Sequence, residues 1–251
     1  MNKALVAAAL LAALGGCVTS TNIAVSEKEV APRTYLPEPT TIERSVGMLR
    51  RLVVLPIVLQ ASPEDPKLCV DPCDWPGFRR GLATSAVLYL ARERGYEVSS
   101  VDPDVESHAS IGLEPAALAE AARRLADFAR GRPAGSPSAE LAALVKSIGV
   151  QADVDGVVVL HGSVTVVTWL DWAVIYGSFG MAAPIVLRAT ASFEADVFEA
   201  APGRLVWAGT YSKVLGVGMA PAPAEIVTDL FDPIEPALPA IFTRPPAASR
   251  P

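Results

Sequence analysis

Four side chains suited to acid–base or metal-assisted chemistry lie close together in the sequence: Asp153, Asp155, His161 and Asp171. Gathered around one strand end, a carboxylate–histidine cluster polarises water or holds a divalent ion, which would make Asp153, Asp155 and His161 the site of a metal- or carboxylate-dependent hydrolase. The same residues have plainer structural readings. Asp153 and Asp155 suit the turn that enters a strand, and His161, in so apolar a run, suits a core histidine satisfied by a hydrogen bond. Glu194 and Asp196 read as the solvated face of a later strand. No nucleophile elbow, phosphate-cradling glycine loop or zinc signature accompanies these residues. The expectation is therefore a non-enzymatic chain without catalytic residues, cofactor or metal site.

The thiols carry a second kind of chemistry. Cys17, Cys69 and Cys73 are the three cysteines. Between Cys69 and Cys73, a turn around Pro72 would bring the two Cα atoms within disulfide range, and a disulfide is the expected outcome. Closing so short a loop contributes about 2 kcal/mol in the chain-entropy model, enough to staple a loop but not a fold. A zinc site would need further ligands, and the spacing of His108 and His161 does not supply them. The separation is one residue longer than the redox Cys-x-x-Cys pattern, which argues against thiol exchange. With Cys17 otherwise modified, Cys69 and Cys73 would remain as an even pair, as suits an oxidising compartment.

Cys17 ends a leader. Asn2 and Lys3 form a weakly positive start, residues 4–14 an apolar run, and Gly15-Gly16 a small-residue pair that a peptidase accepts. The run is too short to span a bilayer, which needs about 20 apolar residues. The Leu14-Gly15-Gly16-Cys17 ending resembles the lipobox of bacterial lipoproteins. That resemblance implies removal of residues 1–16 and acylation of Cys17, palmitate included, as the first residue of the mature chain. Several acyl chains, at about 0.8 kcal/mol per buried CH₂, anchor a protein where a single chain holds only reversibly. In that family an aspartate after the acylated cysteine retains the protein at the inner membrane; Val18 stands here, which implies the outer membrane, facing the periplasm. An ordinary cleaved leader with a cysteine beside the cut is the alternative.

The remainder divides by composition. Residues 17–44 are rich in Thr, Ser, Glu and Pro and read as a flexible tether, 45–242 as a single α/β domain, and 243–251 as a loose tail. The formal charge is −6 with no basic stripe, which removes the main source of affinity for nucleic acid. Within the domain, residues 51–59 form a short apolar strand that Pro56 ends or kinks. Phe78, Leu82, Ala86, Tyr89 and Leu90 recur at helical spacing ahead of a capping Gly95. Residues 96–101 alternate as a strand, 115–130 and 138–148 read as helices with Gly149 closing the second, and 155–165 as a buried central strand. Alternation from Leu187 to Val197 predicts a long strand with one face in water, Pro202-Gly203 turns the chain, 204–212 returns as its hairpin partner, and a helix covers 222–231.

These elements predict a mixed sheet of about five strands with a late antiparallel hairpin and helices packed on its faces, an α/β sandwich. Three phrases carry a resemblance: Val53-Val54-Leu55-Pro56, Ala152-Asp153-Val154-Asp155-Gly156-Val157-Val158, and the strand-turn-strand from Phe198 to Trp207. They resemble a group of envelope lipoproteins that includes the curli-secretion lipoprotein and lipoprotein activators of penicillin-binding proteins, with an α/β fold like an anticodon-binding domain. The resemblance implies an outer-membrane lipoprotein acting as a protein-binding or assembly module in transport, secretion or wall synthesis, with the membrane and envelope proteins as partners and homo-oligomers as one form. The departure from that pattern is an apolar insertion at 169–184. Trp169, Trp172, Tyr176 and Phe179 are spaced along one helical face there, which leaves the domain core, a partner or oligomer surface, and the membrane as places to bury them.

Overall fold

The computed structural model of the chain describes residues 46–69, 73–102, 104–105, 108–109, 112–130, 138–177, 189–215 and 221–237. All of them fall in the unit Pro32–Pro251; the other unit, Met1–Ala31, lies outside the described residues, as do the leader, Cys17, the tether at 17–44, residue 45 and the tail at 243–251.

Among the described residues, six strands form one mixed sheet: β1 (Arg51–Val54), β2 (Val58–Ser62), β3 (Glu97–Ser100), β4 (Gly156–Thr165), β5 (Ala189–Glu199) and β6 (Arg204–Leu215). Their order is β3-β1-β4-β5-β6, with β2 also paired to β4. The β3-β1-β4 side is parallel and the β4-β5-β6 side antiparallel. The single strand expected over residues 51–59 is two. Pro56 has no N–H to give the ladder, so pairing with β4 stops after Val54↔Val158 and resumes at Val58↔His161. Four residues advance against three, and the side-chain alternation reverses between β1 and β2.

Among the described residues are five α-helices: α1 (Trp75–Arg92), α2 (Pro115–Arg130), α3 (Ala139–Ala152), α4 (Trp169–Gly177) and α5 (Pro223–Phe231). Asp74 caps α1 by accepting from the Gly77 N–H, and Ser138 caps α3 by accepting from the Leu141 N–H. Beyond α1, Gly95 takes φ +78° and Tyr96 N–H turns back to the Leu90 carbonyl. Gly149 does not close α3, which continues to Ala152. The left-handed residue at its end is Asp153 (φ 53°), and Gly149 is small because a Cβ there would run into that of Ala200.

The two faces of the sheet bury separate cores. Leu52, Val54, Val158, Leu160, Phe193, Val197 and Trp207 pack beneath α1 and α5, where Trp207 stacks on Phe231 with centroids 5.5 Å apart. Val53, Val157, Val159 and Phe198 pack beneath α2 and α3. That second layer changes β5. The expected water-facing side holds from Ala189 to Phe193, but Asp196 and Phe198 are buried, because α2 and α3 cover this end of the face. Asp196 therefore does not belong to a solvated face, and the Glu194 side chain is 37% exposed. No described helix is long and apolar enough to cross a membrane.

Candidate functional site

The four residues singled out for chemistry are not gathered together. Asp155 lies just before β4 and His161 lies within it, about 20 Å farther on at 3.3 Å per residue. Asp155 is a clamp on β1: its Oδ2 accepts the backbone N–H groups of Arg50 (3.1 Å) and Arg51 (3.0 Å), and Oδ1 stands 3.8 Å from the Arg51 guanidinium. Asp153 also pairs with Arg51, from the left-handed end of α3. Asp171 caps α4, accepting from the Thr168 N–H (2.7 Å) and hydroxyl (2.8 Å) while Thr168 Oγ1 accepts from the Asp171 N–H (3.2 Å). This is the reciprocal arrangement of a capping box. A hydrolase built on Asp153, Asp155 and His161 has no common site in this fold.

His161 instead meets Glu194 and Asp196, whose alternation in the sequence suits a solvated strand face. Antiparallel pairing sets His161 directly opposite Glu194, and Asp196 follows two residues later on the same face. His161 Nε2 is 3.0 Å from Asp196 Oδ2 and 3.7 Å from Glu194 Oε2. The His161 and Asp196 side chains are each 1% exposed. The short contact is a hydrogen bond that satisfies a buried imidazole; the longer one exceeds hydrogen-bond range. Among the described residues these three form the one cluster of at least three ligating side chains, with ligand atoms all within 4.8 Å of one another. The missed signal was register, because partners distant in sequence meet only once β4 and β5 are aligned.

Cys69 and Cys73 are joined in a disulfide with Cα atoms 6.1 Å apart. Cys69 is buried and forms an isolated bridge with Thr168, so the disulfide loop is pinned to the start of α4. On α4, Trp169 is 58% and Leu170 69% exposed, so neither is absorbed by the domain's own core. The backbone of Trp172 and Tyr176 is helical, while their side chains and all of Phe179 lie outside the described residues. His108, the other histidine, is exposed and pairs its backbone with Ser100.

No protein-family model matches the chain, and no curated protein matches it at the level of sequence. Among solved structures, the chain is similar to the PelC dodecamer from Paraburkholderia phytofirmans at 12% identity and a TM-score of 0.37, covering 81% of this chain and 98% of that one. It is also similar to lipoprotein GNA1162 from Neisseria meningitidis (16%, TM-score 0.32, 68% and 85% covered) and to the LpoB C-terminal domain from Salmonella enterica (10%, TM-score 0.30, 69% and 87% covered). Superpositions at this level define neither a family nor a function.

Proposed function

We propose that the chain is a non-enzymatic lipoprotein of the bacterial envelope, anchored in the outer membrane through acylated Cys17 and facing the periplasm, whose α/β domain binds envelope proteins or further copies of itself. The observation that carries this reading is the Leu14-Gly15-Gly16-Cys17 ending of an apolar leader ahead of the domain. Two structural features support it. The Cys69–Cys73 disulfide suits an oxidising compartment. Trp169 and Leu170 offer an exposed aromatic and aliphatic pair on α4, the kind of residues that anchor protein interfaces. Asp153, Asp155 and Asp171 serve as caps and clamps away from His161, so they lend no support to a hydrolytic site shared with it.

Site-specific photo-crosslinking in the native host tests the partner surface. A crosslinker at Trp169 or Leu170 should give discrete adducts, whereas one at exposed Arg123 on α2 or Lys146 on α3 should give none. The same adduct pattern at all four positions, or none at α4, would contradict a partner surface on this helix.

A further inference from the structure

We propose that His161, Glu194 and Asp196 form a binding site for a divalent transition-metal ion of the zinc class, which ties β4 to β5. Both carboxylates converge on the same imidazole nitrogen. Nε2 carries at most one hydrogen, and Asp196 at 3.0 Å suffices to receive it. Glu194 at 3.7 Å is beyond hydrogen-bond reach, yet its carboxylate approaches that nitrogen from a side chain with an open route to solvent. Strand register brings the three groups together, and their ligand atoms are close enough to share one ion. A tetrahedral ion with bonds of about 2.1 Å separates its ligand atoms by about 3.4 Å. The two separations from Nε2, 3.0 and 3.7 Å, bracket that edge, and all three ligand atoms lie within 4.8 Å of one another.

The setting also suits metal binding. The ligands project from adjacent, fully paired strands, so their spacing is fixed by the sheet and not by loops. Imidazole nitrogen with two carboxylate oxygens is a donor set for zinc and its neighbours, harder than a thiolate site and softer than the all-oxygen cages of calcium or magnesium. On the solvent side of Glu194 the same sheet face continues through Ser163, Ser192 and Ser212, with Ser192 and Ser212 exposed, a polar path for an entering ion. In the loaded site the Nε2 lone pair goes to the metal, the ring hydrogen resides on Nδ1, and water or the second oxygen of a carboxylate completes the coordination. Cys69 and Cys73, being oxidised, supply no ligand.

Tag-free protein extracted in detergent, with its disulfide intact and its metal removed by chelation, is titrated with Zn²⁺ by calorimetry and with Co²⁺ by visible absorption. The expected result is one equivalent bound, tetrahedral Co²⁺ bands, a rise in Tm, and no displacement by Ca²⁺ or Mg²⁺. Glu194→Gln, at a half-exposed position, should weaken binding by at least about tenfold, and His108→Ala should leave it unchanged. Absence of stoichiometric binding, binding that survives His161→Ala, or wild-type affinity in Glu194→Gln would overturn the site; the last holds even if the His161 variant fails to fold.

Discussion

Individual residues in this protein do most of their work by satisfying backbone and buried groups. Asp155 accepts two N–H groups that begin β1, and Asp155→Ala should cost about 1–3 kcal/mol by leaving partly buried donors without their acceptor, read as a lower urea midpoint at unchanged m. Tyr96 gives a pH signature. Its phenol is pushed well above the ordinary tyrosine range, first by burial and then by the Glu235 charge, with Arg94 pulling weakly the other way, and its hydroxyl donates to the Glu235 carbonyl. A group whose folded pKa is raised contributes stability that is whole below its unfolded value of about 10 and is lost as pH rises beyond it. Unfolding midpoints should therefore fall above about pH 10, and Tyr96→Phe should lessen that fall; an identical alkaline slope in the variant would contradict the assignment. The sequence showed that His161 suited a satisfied core position, but it gave no sign of which group satisfies it. Asp196 alternates with apolar residues and so looks outward, until α2 and α3 are laid over that end of the sheet.

Elements were legible where their periodicity was long and uniform. The helical spacing through Leu118, Ala121, Ala122, Leu125 and Ala126 matches the buried stripe of α2, and the alternation from Ala189 to Phe193 matches the half-exposed part of β5. Boundaries set by tertiary contacts were not legible, and Gly149 is the clearest case. Taken as a helix terminator in the sequence, it lies inside α3 because the helix must approach Ala200 closely. The two readings differ in sign. Helix propensity alone predicts that Gly149→Ala gains about 1 kcal/mol, whereas the clash with Ala200 predicts overpacking costs of about 1–3 kcal/mol, hence no gain or a net loss in thermal stability. The disulfide acts at this scale too. Replacing Cys69 and Cys73 by alanine should cost about 2 kcal/mol and, because Cys69 bridges Thr168, should speed amide exchange at the start of α4 more than in α2 or α3.

For the whole molecule, the sheet divides its labour between two buried faces and leaves the strand ends beyond α2 and α3 polar, with Gln60, Thr165, Ser192 and Ser212 exposed. The mixed α/β architecture was readable from the order of elements; the sixth strand was not, because a proline break converts one apolar run into two strands with opposite alternation. Exposed Trp169 and Leu170 contribute little to folding, so Trp169→Ser with Leu170→Ser should leave the unfolding free energy within about 0.5 kcal/mol of the parent while removing crosslinked adducts or higher oligomers, measured by sedimentation in detergent. The proposed place in the envelope depends on a covalent event at Cys17, near the start of the chain. Intact mass spectrometry of the protein purified from membranes of its native host tests it most directly. The predicted result is a chain beginning at Cys17 and heavier than its amino-acid sequence by the mass of a diacylglyceryl group, with or without an N-linked acyl chain. A mass equal to the unmodified chain, or one that still includes residues 1–16, would contradict it.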